Sequence, residues 1–355
     1  MSPQRDRRLK RILVASAWTG GHIFPGVSIV EELKRNLKKI DVFFVTDREG
    51  PVTQLLKRYG YSVLFLKTNN LAEFFISFFN SFKLINKICP DVIIGLGGRL
   101  TAAICIAGKI KGIPIYAHEQ NVIPGFTNRI LYRLAVIDTL FVSFKETKDI
   151  LGNRRCVYSG NPVREEFFFE KKEKEALFTI FVMGGSQGAT VINKVFLDTL
   201  GILLKRGYRF KIIHQTGRYD FENVKKRYKE IGADAQVYEF IDDMPSVLKR
   251  ADLAICRAGA SSLFELSASG TPSILIPYPF AKDNHQEKNA LILKRMGGAE
   301  VILQKDLTPS LLADMISRFL DNPQLLKDMG NNAKKLARRD SAKIITKYIL
   351  EAKDL

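Results

Sequence analysis

The sequence predicts an α/β protein made of two doubly wound parallel-sheet domains facing each other across a cleft. Three observations carry that prediction. Short apolar runs alternate with helix-length amphipathic segments along nearly the whole chain, and strands that are apolar throughout belong to sheets covered on both faces. Two glycine-rich turns, Thr19-Gly20-Gly21-His22 and Gly184-Gly185-Ser186-Gln187-Gly188-Ala189, each follow an apolar run and open a helical pattern. Such a turn aims bare backbone N–H groups and a helix N-terminus at a bound phosphate. Finally, 355 residues suit two domains of about 150–180 residues better than one.

Taken in order, the first half reads as strands at Arg11–Ala17, Asp41–Thr46, Ser62–Leu66, Asp91–Gly95, Ile113–Ala117 and Thr139–Ser143. Helical spacing lies between them, as in Val27–Leu37 and Phe126–Leu134. Asn161-Pro162-Val163 marks a boundary, because proline restricts itself and the residue before it. Alternation resumes after the charged stretch Glu170-Lys171-Lys172-Glu173-Lys174-Glu175, which suits a surface linker. Strands follow at Phe178–Met183, Phe210–His214, Val237–Phe240, Leu253–Cys256 and Ser273–Ile276. Three more helices close the chain, and the last, around Ala342–Leu350, has an apolar face that can return to the first domain. The expected domains are 1–163, 164–340 and a C-terminal helix at 341–355.

One helical segment is unusually apolar. Leu71, Phe75, Phe78, Phe82 and Ile85 form a stripe, Phe74 and Phe79 widen it, and Lys83 and Lys87 flank it. A helix of that kind either lies in a membrane surface or is buried on both sides between sheet layers.

Composition narrows the function classes. Hydrophobic residues make up 46% of the chain and charged ones 26%, the balance of a well-cored globular protein. No apolar run approaches the roughly 18–20 residues that span a bilayer. Residues Met1–Arg11 are basic but lack the features of a secretory signal. Cys89, Cys105, Cys156 and Cys256 form no pair or metal-like cluster, as expected of reduced thiols in a cytoplasmic protein. The net charge is +18, and residues 1–163 hold 24 Lys and Arg against 12 Asp and Glu. That imbalance points to a polyanionic partner: an anionic membrane face, a phosphorylated substrate or nucleic acid. The aromatics are not interleaved with arginines as a base-stacking platform requires, so no nucleic-acid partner is expected.

Candidate chemistry gathers where apolar runs end. His22 closes the first glycine turn, placed either to act as a base or to cap the helix. His118-Glu119-Gln120-Asn121 follows an apolar strand, where α/β sheets line a ligand crevice. His214 ends another strand, and His285 belongs to Asp283-Asn284-His285-Gln286. In Arg257-Ala258-Gly259-Ala260-Ser261-Ser262-Leu263-Phe264-Glu265, the serines read as N-caps with Glu265 completing a capping box. Alternatively, the small residues admit a nucleotide and Glu265 takes the two ribose hydroxyls, as an acidic residue does in dinucleotide folds. Arg164, just past the boundary, can balance a diphosphate. The chain has no Asp-x-Asp, no P-loop and no complete G-x-G-x-x-G. Gly184-Gly185-Ser186-Gln187-Gly188 does match the G-x-S-x-G elbow of a serine hydrolase, with Ser186 as nucleophile and His214 or His285 as base.

Seven motifs in register then resemble one family. They are Thr-Gly-Gly-His-Ile-Phe-Pro-Gly (19–26), His-Glu-Gln-Asn (118–121), Gly-Asn-Pro-Val-Arg (160–164) and Gly-Gly-Ser-Gln-Gly-Ala (184–189). Phe-Ile-Asp-Asp-Met (240–244), Arg-Ala-Gly-Ala-Ser with its glutamate (257–265) and Asp-Asn-His-Gln-x-x-Asn-Ala (283–290) follow. Together they resemble the MurG family of peripheral-membrane glycosyltransferases across nearly the whole chain. The resemblance implies a GT-B fold of two Rossmann-like domains, with residues 1–163 binding the acceptor and the membrane and residues 164–340 binding the donor. It implies inverting transfer of N-acetylglucosamine from UDP-N-acetylglucosamine to lipid I (undecaprenyl-diphospho-muramoyl-pentapeptide), giving lipid II for peptidoglycan, at the cytoplasmic face of the membrane. No cofactor is implied and no tightly bound metal, in keeping with the missing Asp-x-Asp.

By that resemblance the donor contacts are Thr19, Gly20, Gly21, Asn121, Arg164, Ser186, Ile241, Ala260, Ser261, Ser262, Leu263, Phe264, Glu265 and Gln286. Ile241 offers backbone to the uracil and Glu265 holds the ribose. His22 and Glu265 are the residues matched to the chemistry. Phe74, Phe75, Phe78, Phe79 and Phe82 form the membrane patch, toward an anionic surface. Ala17-Trp18 and Gly97-Gly98-Arg99 depart from the family's Gly-Gly and Gly-Gly-Tyr, and Leu100-Thr101-Ala102 from its Ser-Gly-Pro. The first departure makes that loop less open to a phosphate, the second loop faces the acceptor in the family, and together they leave room for a transferase acting on another lipid acceptor. The remaining rival is a UDP-N-acetylglucosamine 2-epimerase of the same fold.

Overall fold

The computed structural model describes residues 9–37, 39–68, 70–152, 155–170 and 177–352; residues 1–8 and most of the expected linker (171–176) lie outside the described residues. The chain divides into two compact units, Met1–Arg164 with Arg338–Leu355, and Glu165–Ala337.

The first unit is built on seven parallel strands. They are β1 (Arg11–Ala15), β2 (Asp41–Thr46), β3 (Ser62–Phe65), β4 (Val92–Gly95), β5 (Ile115–Glu119), β6 (Thr139–Val142) and β7 (Cys156–Tyr158). Their order in the sheet is β3-β2-β1-β4-β5-β6-β7. The second unit repeats the plan with six: β8 (Thr179–Met183), β9 (Lys211–Gln215), β10 (Ala235–Tyr238), β11 (Leu253–Cys256), β12 (Ser273–Leu275) and β13 (Glu300–Val301), ordered β10-β9-β8-β11-β12-β13. β7 and β13 have only three and two residues, too few to show a pattern in the sequence.

Both sheets are covered on both faces, which is why their central strands are apolar throughout. Ile12, Leu13, Val14 and Ala15 of β1 are fully buried, as are Leu253, Ala254, Ile255 and Cys256 of β11. Leu13 stands between Phe43 of β2 and Ile93 of β4. The helix Gly20–Asn36 crosses this sheet at close range through Gly26. A Cβ there would meet Leu96 Cδ1 at 2.5 Å and Val14 Cγ1 at 3.2 Å, so only glycine lets helix and strands touch.

Two strands run past their apolar cores. β5 carries on through His118 and Glu119, paired with Phe141 and Val142 of β6. β9 includes His214 and Gln215, paired with Val182 and Met183 of β8. These polar groups are buried but hydrogen-bonded, so the ladder continues where the hydrophobic signal stops. The helix Ser341–Glu351 belongs to the first unit. Ser341 Oγ donates to Gly160 O at 2.9 Å, and Tyr348 meets Phe141 edge-on.

The order of each sheet fixes where a ligand goes. From its first strand the chain steps outward twice, then crosses back to lay the fourth strand on the other side of the first. Connections leaving β1 and β4, and likewise β8 and β11, diverge to opposite faces and open a crevice at the strands' carboxyl ends. The glycine loops at 19–26, 97–99, 184–189 and 257–265 leave these four strands, and the other motifs leave β5, β7, β10 and β12.

Candidate active site

In the first unit, Thr19 precedes the helix Gly20–Asn36 as its N-cap, in extended conformation. Its carbonyl accepts from His22 N at 3.0 Å, and its hydroxyl lies 2.9 Å from His22 Nδ1. The imidazole edge passes over the β4 loop. A Cβ on Gly97 would come within 3.3 Å of His22 Nε2, and one on Gly98 within 3.1 Å of Ala17 Cβ. Both glycines have left-handed φ, +96° and +95°, so the interlock of the two loops requires them. Thr101 Oγ1 staples the loops by donating to Ala15 O and Gly97 O. Arg164 places its guanidinium 4.9 Å from the ring centre of Phe24, one residue beyond His22's neighbour Ile23.

The polar tetrad divides into scaffold and face. His118 is fully buried; its Nε2–H donates to Gly160 O, its Nδ1 accepts from Gln120, and burial pulls its imidazole down to about 4. Glu119 is also buried, and burial raises its carboxyl. Its two oxygens accept from Asn121 N and Nδ2, Gly125 N and Asn128 Nδ2. That network shapes the loop and leaves Asn121 as the one half-buried member of an otherwise buried tetrad.

In the second unit, the β8 turn is pinned by glycines. A Cβ on Gly184 would lie 2.1 Å from Ala189 N, on Gly188 2.0 Å from Thr216 O, and on Gly217 2.3 Å from Gln187 O. Ser186 stands in this turn, half-buried. His214 does not serve it. Its Nδ1 accepts from Tyr228 OH at 2.8 Å, its Nε2–H donates to Asn193 Oδ1 at 3.0 Å, and burial lowers its imidazole to about 3. With both nitrogens committed, His214 cannot be the base of a hydrolase.

The helix Ala260–Ser269 corrects the capping-box reading. Its N-cap is Gly259, no side chain caps it, and Ser261 and Ser262 lie inside the first turn. The N-terminus therefore retains its attraction for an anion, and Glu265 follows in the second turn. Leu263 and Phe264 are fully buried, so they meet a ligand through main chain at most. Buried Arg257 fastens the neighbouring loops by donating to Ile276 O, Pro277 O and Gln304 Oε1. Gln286 Oε1 accepts from Tyr278 N at 3.0 Å, which fixes the orientation of its carboxamide.

Comparison with known proteins then decides the family. Residues 12–136 match the glycosyltransferase family 28 N-terminal domain, and residues 179–345 its C-terminal domain. A protein of Geobacter sulfurreducens named UDP-N-acetylglucosamine--N-acetylmuramyl-(pentapeptide) pyrophosphoryl-undecaprenol N-acetylglucosamine transferase is 36% identical, over 94% of this chain and 96% of its own. A protein of the same name from Syntrophus aciditrophicus is 40% identical, over 92% and 94%. The crystal structure of MurG from Acinetobacter baumannii superposes with a TM-score of 0.77 at 26% identity, covering 96% of this chain and 99% of that one. The chain belongs to the MurG family of N-acetylglucosaminyltransferases. Its fold is accordingly the GT-B pair of Rossmann-like domains, and the hydrolase and epimerase readings fall away.

Among the described residues, no His, Cys, Asp or Glu group is arranged to hold a metal ion, and no helix is long and apolar enough to cross a membrane. The structure splits the five phenylalanines of the expected membrane patch. In the helix Leu71–Ile88, Phe78 and Phe82 pack on the core, and Phe74 is half-buried. Leu71, Phe75, Ile76 and Phe79 are 54–72% exposed. The apolar face turned outward is thus Leu71/Phe75/Ile76/Phe79, with Phe78 and Phe82 corrected to core. The stripe expected from sequence mixes the two faces, Leu71 and Phe75 pointing outward and Phe78, Phe82 and Ile85 inward, because both faces are apolar at helical spacing.

Sequence reasoning also passed over Gln215, Asn193 and the bracing role of Glu119. Their signal was available: polar residues embedded in, or adjoining, apolar strand and helix patterns. Without a structure their partners were not.

Proposed function

We propose that this chain transfers N-acetylglucosamine from UDP-N-acetylglucosamine to the muramoyl 4-hydroxyl of lipid I with inversion, forming lipid II. The second unit takes the donor and the first takes the acceptor. The observation carrying this reading is that the family motifs all lie at the carboxyl ends of strands, those of β1, β5 and β7 in the first sheet and of β8, β10, β11 and β12 in the second, in a chain matched over 94% of its length by a protein named for this transfer.

The chemistry follows from the residues. As the acceptor hydroxyl attacks the anomeric carbon, the bond to the diphosphate breaks and negative charge grows on UDP. Main-chain N–H groups of Ser186 and Gln187 and the side-chain-uncapped start of the Ala260–Ser269 helix would stabilise that charge, with Arg164 as counter-ion. One lost preorganised donor of this kind costs about 2.7–4 kcal/mol. Glu265 would accept from the ribose hydroxyls, Ile241 would meet the uracil, and Gln286 would donate to the sugar. Thr19, Gly20, Gly21 and Asn121 would complete the donor contacts. His22 would take the hydroxyl proton at Nε2 while Nδ1–H donates to Thr19 Oγ1.

The acceptor hangs on a lipid, which gives the basic first half and the outward face of the Leu71–Ile88 helix a purpose: docking on an anionic membrane at its cytoplasmic side. Ala17 and Arg99, from the two departures, border a cavity of about 280 Å³ that Arg48 also lines. Trp18 lies against Gly50 and under Arg48. Their effect belongs to acceptor recognition.

Titration calorimetry with UDP tests the donor half. The wild type is expected to bind, and Glu265→Ala to bind about tenfold or more weakly, as loss of a charged hydrogen-bond acceptor predicts. An absence of heat from folded wild-type protein would remove the donor assignment.

A further inference from the structure

Gln215 is the last residue of β9, and its main chain is held on several sides. It pairs in register with Met183 of β8. The next residue, Thr216, donates its N–H to Tyr238 O at 2.9 Å and accepts on its carbonyl from Asn193 Nδ2 at 2.9 Å. The side chain leaves this fixed point and is 1% exposed. Its Nε2 donates to Gly185 O at 2.9 Å, and its Oε1 accepts from Ile241 N at 2.8 Å. The orientation of the carboxamide admits no alternative, because a peptide N–H only donates and a peptide carbonyl only accepts.

The two groups it joins belong to different loops. Gly185 precedes Ser186 in the turn after β8, and Ile241 follows β10. Gly185 has φ +90° with open space around its α-carbon, so packing does little to hold it. Its carbonyl is held by Gly188 N within the turn, at 3.1 Å, and by Gln215 from outside it.

We infer that Gln215 is the positioning residue that holds the diphosphate-contacting turn and the base-contacting segment in one fixed relation, so that both ends of the uridine diphosphate are gripped together. This rests on the donor reading above. Gln215 touches neither sugar nor reacting atoms; it acts through Gly185 and Ile241. A preorganised pair of loops binds without the ordering cost that two independent loops would incur. Loss of the tie therefore weakens nucleotide binding in ground state and transition state alike, and appears in donor KM more than in kcat.

The test uses the full chain, UDP as the probe, and two near-isosteric variants. Gln215→Met keeps the length of the side chain and removes both hydrogen bonds. Gln215→Glu keeps the acceptor for Ile241 but sets a carboxylate oxygen against Gly185 O, until protonation restores a donor. By calorimetry, Gln215→Met is expected to bind UDP about tenfold more weakly at pH 8 and at pH 5.5 alike. Gln215→Glu is expected to match that loss at pH 8 and to recover to within about threefold of wild type at pH 5.5, each value referred to wild type at the same pH. In the transfer reaction kcat should change less than about threefold. A side chain that merely fills space would not titrate in this way. Variants binding UDP within about twofold of wild type at both pH values, or a Gln215→Glu variant that stays weak at pH 5.5, would overturn the inference. Wild-type protein that binds no UDP at all would instead overturn the donor reading on which it stands. If Gln215→Met fails to fold, the titration of Gln215→Glu decides alone.

Discussion

Three of the four histidines show how environment separates residues that look alike in sequence. His118 and His214 are buried, neutral and committed at both ring nitrogens. His22 stands at a helix start beside two glycine loops, with Nδ1 against Thr19. We expect His22→Ala to lower kcat by about 10²–10⁴, the range for a positioned base, with UDP affinity nearly unchanged; equal turnover would take His22 out of the mechanism. His214 carries a pH signature. Free imidazole titrates near 6.5, and in the fold it is held down at about 3. The unfolded chain therefore takes up this proton first, and the stability that neutral His214 supports is complete above pH 6.5 and lost as pH falls toward 3. Urea midpoints at pH 7 and pH 5 check this: the wild type should lose stability, and His214→Asn, although weaker overall, should lose less. The motif residues were legible one by one in the sequence. Which of them are scaffold was not, because a buried, hydrogen-bonded histidine and an exposed one are the same letter until their partners are known.

The helix Leu71–Ile88 makes the corresponding point about elements. Its composition announced an excess of apolar surface, but periodicity alone could not say which of two apolar faces points outward. Tertiary packing settles it: Ser77, Ser81, Ile85 and Ile88 are buried, Phe78 and Phe82 join the core, and Phe75 and Phe79 point away. We expect Phe75→Glu with Phe79→Glu to abolish cosedimentation with anionic liposomes while leaving the melting temperature unchanged. Phe78→Glu should instead destabilise the first unit, since it puts a charge against the core. Unchanged liposome binding in the double variant would refute the docking face. The strands were legible to within a residue or two wherever they were apolar, as at Asp41–Thr46 and Leu253–Cys256. β5 and β9 were read short, because their last residues are buried through hydrogen bonds and not through hydrophobicity. The capping box at Ser261–Glu265 was read from a true spacing, but the helix starts two residues earlier than that reading requires: Gly259 is its N-cap, and no side chain caps it.

Across the whole molecule, one plan is used twice. The order β3-β2-β1-β4-β5-β6-β7 in one unit and β10-β9-β8-β11-β12-β13 in the other puts a crevice beside the first strand of each sheet, and both crevices are lined by glycine loops. That duplication was visible in the sequence as two glycine turns after two apolar runs. The return of the chain's end to the first unit was foreshadowed only by an apolar helix face. With nucleotide-sugar binding proposed for one crevice and a lipid-linked alcohol for the other, the decisive observation is a product. Incubation of the protein with labelled UDP-N-acetylglucosamine and a lipid I analogue, without added metal-binding cofactor or partner, should yield a β-linked disaccharide on the diphospholipid and an equal amount of UDP. Label that stays on the nucleotide, or that appears as free sugar or as the manno epimer, would contradict it.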